Sequence, residues 1–430
     1  MTPNGIRVVV TGLGCVSPVG HSASETWEAL LAGRSGVARV RAFDVEGVRP
    51  GYAAEVKDLT PERAALPRRK LKMMGRQAQL AFAAVQEACA DAGLSDGASV
   101  NRERLGLILG VGMLNAEVDE LGRALYVMQQ ATGQAFAMSA FTRAAHCELL
   151  PLWLLRHIPN LAAAHAGIAI DAQGPSNTIT TGCVAGANAL GEAARIVARG
   201  EADIVIAGGA DARVSPLAML RYRELGWLST RGDCDPEQVS APFDACASGF
   251  VTGEAAAVLV LESHAHAERR GARVRAELAG YAAANDARGM FVYDRSGGAL
   301  QASVARCANA LQRRGSATID CLFAPASGVR PLDAATAAAL TEVPGLDGPI
   351  AATRSLLGHT HAASAAVDAV AAVQAIGGCR VPSVRNLTRP IAPLRFADGE
   401  LPSRPIETAL VGAYGFGGHA AALAFREWRE

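Results

Sequence analysis

Lysine is almost missing from this 430-residue chain, where three lysines stand beside 38 arginines. Alanine is abundant at the same time, the mark of GC-rich coding rather than of function. Excess charge is missing too, since Lys+Arg and Asp+Glu are 41 each. A balanced chain offers no global field for nucleic acid or an anionic membrane. No apolar run approaches the ~18–20 residues of a membrane-crossing helix. The opening MTPNGIRVVVTGLG lacks the basic segment and apolar stretch of a secretion signal. Nine cysteines are scattered without CxxC pairs or other metal-ligand spacing, which argues against structural zinc. An odd cysteine count without a signal points to free thiols in a reducing cytoplasm.

What is present is a packed chain: 50% hydrophobic and 19% charged. Its length suits two domains, or two fused halves sharing one core. Residues 6–12, IRVVVTG, read as a buried strand. A capped helix is predicted at 22–33, an amphipathic helix at 77–93 and a buried strand at 106–112. Apolar helical pieces near 121–128 and 149–155 suggest a cap over the sheet, spanning about 113–165. Strands follow at 202–211 and at the end of 241–262. The second part repeats the theme, with helices at 298–313, 332–341 and 361–376 and a strand at 319–324. Residues 409–425 read as two antiparallel strands around a glycine turn. Strand–helix alternation twice over, without a Pro/Ser-rich linker, predicts two similar α/β halves packed together.

Residues 176–200, SNTITTGCVAGANALGEAARIVARG, carry the most chemistry. A short β-branched run reads as the end of a buried strand, followed by Gly182, Cys183 and an Ala-rich helix. A cysteine at a strand-to-helix junction meets unpaired N–H groups and the positive end of a helix dipole, which favour a thiolate. The adjoining glycine permits the tight turn. That is an exposed nucleophile on a buried scaffold. The plainer alternative is a small core residue in an apolar run.

Six segments in order along the chain resemble the β-ketoacyl synthases, the condensing enzymes of fatty-acid and polyketide synthesis. They are VVVTGLGCVSPVG, GPSNTITTGCVAG, GEADIVIAGGAD, APFDACASGFVTGEAAAVLVLE, RSLLGH and AYGFGG. The resemblance implies the thiolase fold, two duplicated α/β halves in a five-layered α-β-α-β-α arrangement. The expected division is residues 1–265 and 266–430. It also implies Cys183 as the acyl-accepting nucleophile and His359 as one of two catalytic histidines. The N–H groups of Cys183 and Phe416 would form the oxyanion hole, with Phe416 also gating the pocket. Met113 would line the acyl pocket. A thiolase reading fails, because Gly377–Gly378–Cys379 is not in that family's motif.

Three departures stand out. The family's HGTxTP segment follows a strand, and here IDCLFA runs into PASGVRP, so Pro325 stands where a histidine belongs. Ser327 keeps one of two hydroxyls that hold a pantetheine arm, and Val329 replaces the other. Arg354 takes the place of a lysine. Proline offers no side-chain donor for a developing enolate. His419, just past GFGG, and His361 are the two possible stand-ins, although helical spacing would turn His361 outward.

The basic segment PRRKLKMMGR suggests docking of an acidic acyl carrier protein through Arg68, Arg69, Lys70 and Lys72; a solvated basic loop is the alternative. The resemblance thus implies a discrete type II ketosynthase-like acyltransferase that loads Cys183 and condenses or only transfers the chain. The alternative is a non-catalytic chain-length-factor-like subunit. Expected partners are an acyl carrier protein and a second ketosynthase-like subunit, as homodimer or heterodimer, with no resident cofactor, metal, nucleic acid or membrane. Phosphopantetheine would enter as the substrate's carrier arm.

Overall fold

The computed structural model describes residues 5–46, 50–64, 66, 68–94, 100–113, 118–232, 234–316, 318–400 and 404–429. Twelve strands are formed among them: β1 Val8–Val16, β2 Val37–Arg39, β3 Tyr52–Ala54, β4 Leu105–Val111, β5 Ser176–Ile179 and β6 Ile204–Ala212. These are followed by β7 Glu254–Ser263, β8 Ala276–Asn285, β9 Cys321–Phe323, β10 Ile350–Ala351, β11 Thr408–Tyr414 and β12 His419–Arg426. The first helices are α1 Ala23–Leu31, α2 Arg76–Asp91, α3 Val118–Thr132, α4 Met138–Glu148, α5 Asn160–Ala169 and α6 Ala185–Arg199. Later come α7 Pro216–Glu224, α8 His264–Arg269, α9 Gly298–Gln312, α10 Arg330–Leu340, α11 Arg354–Leu357 and α12 Ser364–Gly378.

Apart from the β2–β3 hairpin, the strands run in the order β10-β9-β11-β12-β8-β1-β7-β6-β4-β5. Only two residue pairs, Val9–Glu277 and Val10–Ala276, join β1 to β8. That short seam divides the sheet into two five-stranded halves of one topology. In the first, β1 pairs antiparallel with β7, β7 antiparallel with β6, β6 parallel with β4 and β4 parallel with β5. In the second, β8, β12, β11, β9 and β10 repeat that pattern in the same chain order. The duplication is architectural, as expected.

Period-two alternation makes the layers. On β6, Val205 and Ala207 face the central core while Ile204 and Ile206 face an outer one against α2. On β12, Ala421, Leu423 and Phe425 face the centre, whereas Ala420, Ala422 and Ala424 face α9 and α10. Helices α6 and α12 fill the centre between the sheets with small side chains, so both backbones approach closely. The result is the five-layered build α, β, α, β, α.

Two expectations change. The segment before Cys183 is an edge strand: Ser176 and Asn177 are exposed and only Thr178 and Ile179 are half-buried, so it is not a buried strand. Within the region expected as a cap, α3 and α4 pack on each other, but α5 joins α2 in the outer layer.

Candidate active site

Cys183 sits in the turn Gly182–Val184 that opens α6. Gly182 has φ +64°, the left-handed conformation that lets the chain reverse there. The thiol is buried at the head of a 15-residue helix, where free N–H groups and the dipole stabilise negative charge. The Phe416 backbone N–H favours the ionised sulfur and works against the rise that burial imposes on the thiol's pKa. Gly415, just before it, lies so close that a Cβ there would be 2.7 Å from Cys183 Cβ and 3.3 Å from Sγ. The GFGG turn is therefore pressed against the cysteine, and Cys183 and Phe416 line one cavity.

His359 comes from the loop after α11. Its N–H donates to Val251 and its carbonyl accepts from Gly253, so the loop is clamped to the segment entering β7. Nε2 stands 3.7 Å from Cys183 Sγ. Nδ1 accepts the His361 backbone N–H at 3.0 Å, so the neutral ring carries its proton on Nε2, facing the sulfur. His359 is thereby set as a donor. Burial, and then the charge of Arg354, hold its pKa well below the ordinary value. Burial pushes the Cys183 thiol up to about 11, offset in part by Arg354, the Phe416 N–H and Arg213. Both groups rest neutral, and no thiolate–imidazolium pair is stored.

His361 is not turned outward. It is buried at φ +49°, and its ring stacks on His359 at 4.5 Å between centroids and on Tyr222 at 5.0 Å. The left-handed residue breaks the helical spacing before α12 begins, which is why helical reasoning misplaced it. Its Nε2 lies 3.1 Å from Thr252 Oγ1 and its Nδ1 3.4 Å from the Tyr222 hydroxyl. One N–H and one lone pair are thus both engaged, and the ring buttresses His359. The sulfur and the two imidazoles offer ligand atoms within 4.8 Å of one another. However, a ring that aims N–H at the sulfur presents a proton there, not a metal-binding lone pair.

His419 does not stand in for the lost histidine. It is exposed at the start of β12, with Nδ1 3.0 Å from Asn285 Nδ2. Arg354 is buried and touches Asp368 Oδ2 at 3.3 Å and the Ala324 carbonyl at 2.9 Å, so it acts on Cys183 through its charge. Ser327 is buried beside Pro325, its N–H held by Asp333 at 2.8 Å. A cavity of about 240 Å³ opens on Cys183, with Met113, Arg213, Tyr222, Leu225, His361 and Phe416 among its walls. Met113 stands at its mouth, 70% exposed. In the basic segment Arg69 and Lys72 are exposed, Lys70 is half-exposed and Arg68 pairs with Glu62. Arg76 is drawn away by buried Glu254 at 2.8 Å.

Sequence reasoning missed Asp368, Asp333, Thr252, Tyr222 and the buried Asp211–Arg213 pair at 2.8 Å. Asp368 carried a signal: it is the only charged residue on α12, which is built mostly of Ala, Val and Ile. The others lie in segments whose pattern reads as ordinary core or loop.

Family models describe the same chain. Residues 6–267 match the β-ketoacyl synthase N-terminal domain and residues 275–388 its C-terminal domain. A 3-oxoacyl-[acyl-carrier-protein] synthase 2 of Synechocystis sp. is 31% identical over 430 residues, covering 98% of each chain. Its Vibrio cholerae namesake is 31% identical, covering 98% of this chain and 99% of its own. Among solved structures, a type II polyketide acyl-carrier protein in complex with its ketosynthase bound to the hexaketide matches with TM-score 0.83 and 29% identity. That match covers 98% of this chain and 100% of the other. The ishigamide ketosynthase/chain length factor matches equally, with TM-score 0.83 and 29% identity, covering 99% of this chain and 100% of the other. With both halves of the family model matched and the duplicated thiolase fold in place, this chain belongs to the β-ketoacyl synthase family.

Proposed function

We propose that this protein is a discrete type II ketosynthase-like acyltransferase of fatty-acid or polyketide synthesis, which takes an acyl chain from an acyl carrier protein onto Cys183. The observation that carries the reading is the placement of Sγ at the head of α6, under the Phe416 N–H and 3.7 Å from His359 Nε2. The acyl thioester carbonyl would sit with its oxygen on the Cys183 and Phe416 N–H groups. Attack by sulfur forms the new thioester and expels the pantetheine thiolate, which leaves with the proton that Cys183 gives up. No outside acid or base is consumed, which suits a pair that rests neutral.

The carrier protein would dock at Arg69, Lys70 and Lys72, with Arg68 sharing its charge with Glu62, and phosphopantetheine would arrive as the substrate's arm. The exposed edge of β5 supports dimerisation there, with a second copy or a related subunit. After loading, the chain would be condensed with an extender unit by a modified site. A second reading, a chain-length-factor-like subunit, draws on Pro325, but it leaves an assembled Cys183–His359 pair without a task.

The test is incubation with acyl-loaded carrier protein and intact-mass measurement, alone and with an added ketosynthase subunit. Acyl mass on the wild type and none on Cys183→Ala is the expected result. An unmodified wild type under both conditions refutes the acyltransferase and leaves the partner-subunit reading.

A further inference from the structure

Pro325 removes a donor, yet polar atoms crowd its surroundings. Among the described residues, eight buried side-chain N or O atoms have no hydrogen-bond partner, and four of them belong to this neighbourhood: Tyr293 Oη, Ser327 Oγ, Thr336 Oγ1 and Arg354 Nε. Ser327 is two residues beyond Pro325. Arg354 holds the carbonyl of Ala324, just before it. Thr336 lies one turn along α10 from Asp333, which binds the N–H groups of Ser327 and Gly328. A buried, unpaired polar group is costly, so four of them among the elements around Pro325 point to a ligand.

Tyr293 is the best placed of the four. Its ring meets Tyr414 edge-on at 5.3 Å, and Tyr414 runs directly into Gly415 against the cysteine. It packs on the same cluster as Ala324 and Ala326, the two neighbours of Pro325. Its segment is tied to the oxyanion turn, since the Gly417 N–H donates to Met290 at 2.9 Å. The Tyr414 hydroxyl is spent on Asp286, whereas that of Tyr293 is not. Burial, and then the nearness of Cys183, Tyr414 and Asp333, raise the phenol's pKa, so it remains a donor at any working pH.

Resting on the acyltransferase reading above, we propose that the Tyr293 hydroxyl donates to the thioester oxygen of a malonyl-type extender, the contact that Pro325 cannot make. The extender's C–COO⁻ bond breaks and releases CO₂, and its electron pair forms the thioester enolate. The enolate oxygen is held by His359 Nε2–H and Tyr293 O–H. The enolate carbon attacks the acyl carbon on Cys183, the new C–C bond forms and the C–S bond breaks. Sulfur leaves as thiolate and takes one proton from water, which restores the thiol. Chain length therefore grows by two carbons per CO₂ released.

Tyr293→Phe removes only the hydroxyl. With acyl-carrier and malonyl-carrier proteins, loading of Cys183 should stay within about twofold of wild type while CO₂ release falls about 10²-fold, with KM for the malonyl carrier little changed. Pro325→His should raise CO₂ release about tenfold more in that variant than in the wild type, where the phenol already holds the oxygen; an equal gain in both backgrounds would mean that the phenol's role is structural. Wild-type CO₂ release by folded Tyr293→Phe overturns the proposal. So does a wild type that loads acyl but releases no CO₂, and in that case loading itself keeps the acyltransferase reading. A wild type that does not load removes both.

Discussion

Replacing Gly415 with alanine isolates the contact between the GFGG turn and the nucleophile. The backbone there is extended, at φ −152° and ψ −174°, so alanine meets no conformational penalty. The added Cβ would lie 2.7 Å from Cys183 Cβ, against the 3.5–4.0 Å at which carbons rest, roughly a 1 Å excess. Either the sulfur or the Phe416 N–H must yield by that amount. A misplacement of about 1 Å in a reacting group costs on the order of 10²-fold in rate, or about 2.7 kcal/mol of barrier. Overpacking of one methyl costs about 1–3 kcal/mol of stability, which a well-packed chain can survive. Single-turnover acylation of Cys183, followed by intact mass beside a thermal melt of the same sample, separates the two effects. Acylation within threefold of wild type in folded Gly415→Ala would refute the idea that this turn sets the geometry of attack.

Other outcomes follow from the same structure. With its thiol near 11, Cys183 holds about one part in a thousand as thiolate at pH 8, so iodoacetamide labelling should climb tenfold per pH unit through pH 9; a plateau below pH 8 would contradict the neutral resting pair. Asp333→Ala leaves the N–H groups of Phe243, Ser327 and Gly328 unpaired in the core, and urea unfolding should report a loss of about 3 kcal/mol or more, with Asp333→Asn milder. Arg69→Glu with Lys72→Glu should raise KM for the carrier protein about tenfold at low salt, leave kcat unchanged and lose its effect at high salt; an equal drop in kcat would place the segment elsewhere in function.

The layers were legible because they rest on periodicity. Continuous apolar runs such as β1 and β7, and an alternation of strand and small-residue helix repeated after Ser263, need little beyond the hydrophobic effect to declare themselves. Cys183 stood out at a strand-to-helix junction beside Gly182, whereas His359 and Phe416 stood out only because RSLLGH and AYGFGG resemble segments of the family. The edge position of β5 was not, since Thr and Ile favour strands whether or not a neighbour covers them. Nor was the inward turn of His361, because one residue at φ +49° rotates the chain out of the helical register that spacing assumes. The polar groups of Tyr222, Thr252 and Tyr293 were invisible because they come from three segments far apart in sequence.

The lost histidine and the retained one need not be read as a damaged pair. Two imidazoles on one tight loop, i and i+2, stack with their planes 17° apart, and the second is fixed by Thr252 and Tyr222. A residue whose backbone N–H caps Nδ1 of its neighbour while its ring covers that neighbour's face does two positioning tasks at once. Both act on a single proton, the one on His359 Nε2. A site that had only lost a catalytic residue would have little reason to hold the remaining donor so firmly. It would have less reason still to keep a buried cation, Arg354, whose charge acts on the sulfur, or buried unpaired hydroxyls around the substituted proline. The unpaired hydroxyls cost stability and offset it nowhere in the empty fold, so they favour a site that still performs chemistry.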